Sequence, residues 1–176
     1  MAVLGFLLQE DMPTVHLVCG STGAGKTTYA AALAKMTGAV RFSIDEWMLN
    51  LFMADRPPQA SSLEWALARI ERCETQMWAL ANQLIAHDID VVFDLGLSRR
   101  DSRDRMRTLT AQTRAEIKLH YLDVGLETRK ARVLDRVKRS GTGSFEINGA
   151  MFDMMEPFFE PPSDDELDGA MILCED

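Results

Sequence analysis

Eight consecutive residues restrict this chain to a narrow set of folds. Gly20-Ser21-Thr22-Gly23-Ala24-Gly25-Lys26-Thr27 satisfies G-x-x-x-x-G-K-[ST], a loop whose backbone N–H groups turn inward around phosphate oxygens. Its flanks have the character the motif requires. Val15-His16-Leu17-Val18-Cys19 before it is apolar and β-prone, and Thr28 to Met36 after it is rich in Tyr, Ala, Leu and Lys, mostly good helix formers. Strand, glycine loop and helix place the positive end of a helix dipole on the same anion. The cradle is therefore assigned to Gly20, Ser21, Thr22, Gly23, Ala24, Gly25, Lys26, Thr27 and Thr28. Lys26 is expected to reach the β- and γ-phosphates of ATP, and the Thr27 hydroxyl to hold Mg2+.

The remaining pattern alternates. Val40–Ile44, Ile89–Leu95, Ile117–Leu122 and Ala170–Leu173 read as further strands. Helices are predicted over Lys26–Thr37, stopped by Gly38, over Asp45–Phe52, over Ser62–His87 and over Leu126–Arg139. Another opens at a capping-box-like Ser98-Arg99-Arg100-Asp101, and Phe152–Phe159 is a short helical piece broken by prolines. Strands alternating with helices predict an α/β fold: a P-loop NTPase-type sandwich, its mainly parallel five-stranded sheet covered by helices on both faces. With 176 residues the chain suits one domain, 1–176. Ligands in such folds sit at the carboxyl ends of the strands.

Composition removes several classes. No run of about 18 apolar residues exists to span a bilayer. Ala2–Leu8 is too short for a signal peptide and lacks a basic start. Three cysteines, Cys19, Cys73 and Cys174, show neither metal nor disulfide spacing, so we expect them reduced and buried in a cytoplasmic protein. The net charge of −8 argues against general nucleic-acid binding. It is unevenly spread: residues 99–139 carry thirteen bases and six acids, whereas residues 140–176 carry ten acids and no base.

Two acids fall where chemistry is expected. Asp94 ends Val91-Val92-Phe93, as suits a metal-holding carboxylate beside the phosphate loop. No Glu follows it, which disfavours the motor-type ATPases. Asp45 follows the second strand, where an acceptor would face the γ-phosphate and a carboxylate could take its hydroxyl proton. Ser43 and Glu46 also fit a capping box, which would make Asp45 a helix-start residue and Glu46 a cap or a second candidate base. Arg129, Arg132, Arg136 and Arg139 share one helix face before the glycine-bearing Ser140–Gly143, and Arg132 and Arg136 are expected to offset phosphoryl charge from a lid around 129–147. The arginines between Arg99 and Arg107 read as solvated surface, His16, His87 and His120 as scattered, and the Met-rich stretch near Met151–Met155 as core or lid packing.

Gly20–Thr27, Ser43-Ile44-Asp45, Val91–Asp94, Arg132–Arg136 and Phe159-Glu160-Pro161-Pro162 together resemble the small P-loop kinases related to chloramphenicol phosphotransferase and the zeta-toxin group. The resemblance covers residues 14–173. It implies that Asp45 acts as base and that Arg132 and Arg136 belong to a lid. The reading is an ATP-dependent phosphotransferase that moves the γ-phosphoryl of ATP to a hydroxyl of a small-molecule acceptor. A GTPase would need Asn-Lys-x-Asp, which does not occur. A nucleotide-binding regulator or toxin-like component, and a nucleic-acid end kinase, are the alternatives.

Overall fold

The structure is a computed structural model describing residues 12–57, 62–139 and 149–175. Five strands, β1 (Thr14–Cys19), β2 (Val40–Ser43), β3 (Val91–Asp94), β4 (Glu116–Val124) and β5 (Met171–Glu175), form one sheet in the order β2-β3-β1-β4-β5, with every pairing parallel. Helices α1 (Lys26–Thr37), α3 (Ser62–Ala86), α4 (Arg100–Thr110) and α5 (Leu126–Arg139) follow successive strands, with α2 (Ile44–Met48) running directly into a π-helical turn, Leu49–Met53. Short α6 (Gly149–Met155), a 3-10 turn (Glu156–Phe158) and α7 (Asp164–Leu167) lead to β5. The expected P-loop NTPase-type sandwich is present, and its sheet is parallel throughout.

Period-two alternation divides the core. Val15, Leu17 and Cys19 of β1 pack with Phe42, Val91 and Phe93 against Cys73, Met77, Ala81 and Ile85 of α3. Val18, Val92 and Leu122 turn to the opposite face, against Ala30 and Leu33 of α1. Cys19 and Cys73 are buried as expected, and burial pushes the Cys19 thiol up to about 11. Cys174 is exposed, contrary to expectation, because β5 is an edge strand with half-open faces. No helix among the described residues is long and apolar enough to cross a membrane.

Boundaries differ for local reasons. The second strand stops at Ser43, and the helix expected from Asp45 begins at Ile44. The capping box foreseen at Ser43 does not form: Ser43 Oγ is buried without a partner among the described residues, and Glu46 turns to Arg41. At α4 the cap comes from elsewhere in the chain. The carboxylate of Glu160, sixty residues away, accepts the Arg100 N–H at 2.9 Å. Ser163 and Glu166 form a reciprocal capping box on α7 that no sequence expectation included.

The arginines of α4 are not all solvated. Arg103 is fully buried, donating from Nε and Nη2 to Glu166 at 2.8 and 2.9 Å and from Nη1 to the carbonyls of Leu97 and Glu160. The pair holds Glu166 down to about 2 and clamps the segment before β5 onto α4.

The histidines are not scattered either. His16 and His120 stand on neighbouring strands in the α1 face, with Nδ1 of the first 2.9 Å from Nε2 of the second, and His120 Nδ1 is 2.7 Å from the Tyr29 hydroxyl. The Tyr29 hydroxyl also lies 3.7 Å from Met171 Sδ, and Tyr29, His120 and His16 form one chain of hydrogen bonds. His16 Nε2, at the end of that chain, is a buried atom with no partner among the described residues. Burial depresses both histidines, His120 to about 4. Since the unfolded side chains titrate near 6.5, they bind protons more readily than the folded ones. The stability from burying them neutral is complete above about pH 6.5 and is lost as pH falls toward 4. We expect on the order of 2–3 kcal/mol to disappear from urea unfolding across that window. His120→Gln should flatten the profile, and an unchanged slope in that variant would remove the histidine pair as its cause.

Candidate active site

β1 ends at Cys19 and the chain turns through Gly20 to Gly25 before α1 begins at Lys26. The turn is held close on its outer side. A Cβ at Gly20 would lie 2.8 Å from the Leu122 carbonyl, and one at Gly23, whose φ is +82°, would lie 2.6 Å from the Arg129 carbonyl. Neither position admits a side chain without backbone movement. The loop is thus pressed between β4 and α5, with Val133 of α5 against Gly23.

Lys26 folds its side chain over the loop, donating from Nζ to the carbonyls of Gly20 at 2.9 Å and Ser21 at 3.0 Å. Burial lowers its pKa, opposed by the carboxylates of Asp94 and Asp45. Thr27 opens onto the same edge, close enough to Asp94 to pull its carboxyl down. Asp94 is 5% exposed, and burial raises its pKa against the pull of Thr27, Arg41 and Lys26. A hydroxyl and a buried carboxylate side by side form an oxygen donor pair of the kind Mg2+ takes alongside nucleotide phosphates. Thr27 and Asp94, foreseen separately, therefore meet.

Asp45 lies in the first turn of α2 and is exposed. It is near enough to influence both Lys26 and Asp94. Glu46, the other candidate base, is engaged by Arg41, whose Nη1 also donates to Asp94 at 3.2 Å. Arg41 escaped the sequence reading. The signal was there: β2 and β3 pair in parallel with Arg41 opposite Val92 and Ser43 opposite Asp94, so alternation sets Arg41 and Asp94 on one face.

Arg129 faces the rear of the loop rather than the phosphate side. It donates from Nε to the Val124 carbonyl at 2.8 Å, from Nη1 to Ser21 Oγ at 2.9 Å and the Thr22 carbonyl at 3.3 Å, and to both oxygens of Glu156 at 2.7 and 2.5 Å. Ser21 in turn donates to Glu156 Oε2 at 2.9 Å, and these bonds hold Glu156 below the usual carboxylate range. Loop, α5 and C-terminal turn are thereby tied into one network. Nothing in the local sequence marks Glu156 for this role.

Arg132 is one turn further along α5. Its guanidinium pairs with Glu175, and Nη1 lies 3.9 Å from where a Cβ on Gly25 would stand, beside the start of α1. Arg136 is exposed one turn beyond. Ser140–Gly143 and the rest of the expected lid to 147 lie outside the described residues.

Solved structures share this architecture. Chaetomium thermophilum Kti12 in complex with ADP-AlF3 superposes with a TM-score of 0.67 at 16% identity, covering 91% of this chain and 88% of that one. A gluconokinase from Sinorhizobium meliloti 1021 gives a TM-score of 0.58 at 15% identity, covering 93% and 83%. The Pnkp1/Rnl/Hen1 RNA repair complex gives 0.60 at 19% identity, and there the match takes 85% of this chain but only 47% of that one. At such identities the likeness is one of fold. No curated protein matches the chain in sequence. The glycine loop after β1, Thr27 and Asp94 beside it and the strands β2, β3 and β4 lie within residues 15–162, the stretch that matches the AAA domain family, and the chain belongs to that family.

Proposed function

We propose that this protein is an ATP-dependent phosphotransferase that moves the γ-phosphoryl of ATP to a hydroxyl of a small-molecule acceptor, on a single lid-bearing domain in the cytoplasm. The observation that carries the proposal is the convergence of Lys26, the Thr27–Asp94 pair and the exposed Asp45 at one edge of the sheet. The kinase-like neighbours support it at the level of fold, as do the nucleotide-bound ones among them, Kti12 with ADP-AlF3 and a Mycobacterium tuberculosis APS kinase with AMPPNP. The chloramphenicol phosphotransferase resemblance points the same way.

The loop amides and Lys26 hold the β- and γ-phosphates. Thr27 and Asp94 hold Mg2+, which when bound offsets phosphate charge. Asp45 accepts the proton of the acceptor hydroxyl as its oxygen bonds to the γ-phosphorus. The bond from phosphorus to the bridging oxygen breaks, and ADP leaves with that electron pair. Arg132 and Arg136 approach the transferring group from α5, where positive charge counts most in the transition state.

The test is transfer of label from γ-labelled ATP to a panel of sugars, aminoglycosides, nucleosides and other hydroxyl compounds. A labelled product is expected from one acceptor class. With that acceptor, Arg136→Ala should lower kcat by about 10²–10³ while ATP affinity falls much less. An unchanged kcat would assign Arg136 to the solvated surface, and ATP binding without transfer to any hydroxyl would favour a nucleotide-binding regulator.

A further inference from the structure

Nine described arginines, from Arg41 to Arg132, each pair with a carboxylate. Arg56, Arg69 and Arg72 form no such pair among the described residues. They are grouped instead on aromatic rings. The Arg69 guanidinium lies 4.0 Å from the centre of the Trp65 ring and 5.8 Å from that of Phe52. Arg56 stands 5.7 Å from Trp65, and Arg72 stands 5.9 Å from Phe52. Each internal hydrogen bond they make is to a backbone carbonyl, Arg69 Nη1 to Trp65 at 3.0 Å and Arg72 Nε to Ala68 at 3.1 Å. Three cations grouped with no carboxylate in ion-pair contact among the described residues stand out in a chain of net charge −8.

Stacking explains how they are held and what they leave free. An aromatic face attracts the guanidinium plane and limits its rotation. The N–H groups not spent on the Trp65 and Ala68 carbonyls remain to meet the oxygens of a phosphate. Arg56 and Arg69 are half-buried and Arg72 is exposed, so the edges reach solvent. The place is equally specific. Phe52 lies in the π-helical turn that continues α2, seven residues beyond Asp45. A helical rise of 1.5 Å per residue separates them by about 10 Å along the axis. That distance suits an acceptor with its reacting hydroxyl at Asp45 and a charged group at its far end.

We infer that the acceptor carries a phosphate ester and that Arg56, Arg69 and Arg72 bind it. Assigning the bound molecule as the acceptor rests on the phosphotransferase reading; the anion site itself does not. The phosphate belongs either to a small sugar phosphate or to the first internucleotide linkage of a strand with a free 5′-hydroxyl. In both cases the arginines meet the same dianionic or monoanionic oxygens.

The experiment is calorimetric titration of the full chain saturated with AMPPNP, which keeps added phosphate out of the glycine loop. The probes are glucose 6-phosphate against glucose, and a 5′-hydroxyl hexanucleotide against its 5′-terminal nucleoside. One phosphate-bearing probe should bind at least about tenfold more tightly than its neutral counterpart, and which one does so names the source. Arg69→Gln with Arg72→Gln should weaken that probe by about 10–100-fold, the loss expected for charge-assisted hydrogen bonds. Arg114→Gln, which removes a charge paired with Asp88 elsewhere, should leave it unchanged. Arg72→Gln alone, which spares the Trp65 stack, should show part of the loss if the double variant does not fold. Equal binding of charged and neutral probes, or equal binding by wild type and variants, overturns the inference. Arginine-dependent phosphate binding with no label transfer from ATP would remove the kinase reading and leave the anion site standing. Transfer to a neutral acceptor with KM unaffected by the variants would do the reverse.

Discussion

Lys26→Ala is expected to abolish ATP-dependent turnover and leave the protein folded. The ammonium spans the loop by donating to the carbonyls of Gly20 and Ser21 and lies close enough to Asp94 and Asp45 to feel both carboxylates. Its removal deletes the one side-chain cation of the glycine loop. Loss of a single preorganised donor to developing charge costs about 10²–10³ in kcat, and here the same group also binds the ground-state phosphates, so ATP affinity should fall as well. Folding should survive for two reasons. Alanine is the best residue for the first turn of α1, and burial already penalises the ammonium. Asp94 would lose an opposing charge and titrate higher still. Circular dichroism, calorimetry with AMPPNP and turnover make the measurement. A folded Lys26→Ala protein with wild-type turnover would sink the phosphate-binding assignment.

Asp45→Asn separates two roles that share one position. As a base, Asp45 takes the acceptor proton, and asparagine cannot; turnover should drop by about 10²–10⁴ with ATP binding nearly unaltered. As a helix-start residue in the first turn of α2, it contributes only through its charge at the positive end of a short helix, about 0.3–1 kcal/mol of stability and no kinetic effect. The structure sharpens the contrast. Ser43 makes no side-chain cap and Glu46 is tied to Arg41, so the capping arrangement that competed with catalysis is not formed. Full turnover in Asp45→Asn would eliminate the base role. Suspicion would then pass to Glu46, which would have to leave Arg41 to act.

Local letters carried much of this protein. The glycine loop, its strand and its helix are contiguous, so spacing and propensity alone placed the loop between β1 and α1. Apolar runs and three- and four-residue periodicity placed all five strands and the long helices to within a few residues, because burial of one face or both is written in the alternation itself. That Asp94 and Asp45 share an edge was legible for a related reason: in a parallel α/β sheet, every strand's carboxyl end comes to one edge.

What lay beyond the sequence are pairings whose partners are far apart in it. His16 and His120 are 104 residues apart and meet only because β1 and β4 are neighbours in the sheet. Glu160 caps α4 from sixty residues away, Glu166 buries Arg103, and Glu156 locks Arg129 behind the loop. Arg103 and Glu166 show the reason: two residues that read as surface are buried together by a pairing the sequence does not bring near, since desolvating one ion is tolerated only where another meets it. Strand order, parallel register and the path from α6 to β5 decided those meetings, and with them which of the described arginines are spent on the protein's own carboxylates.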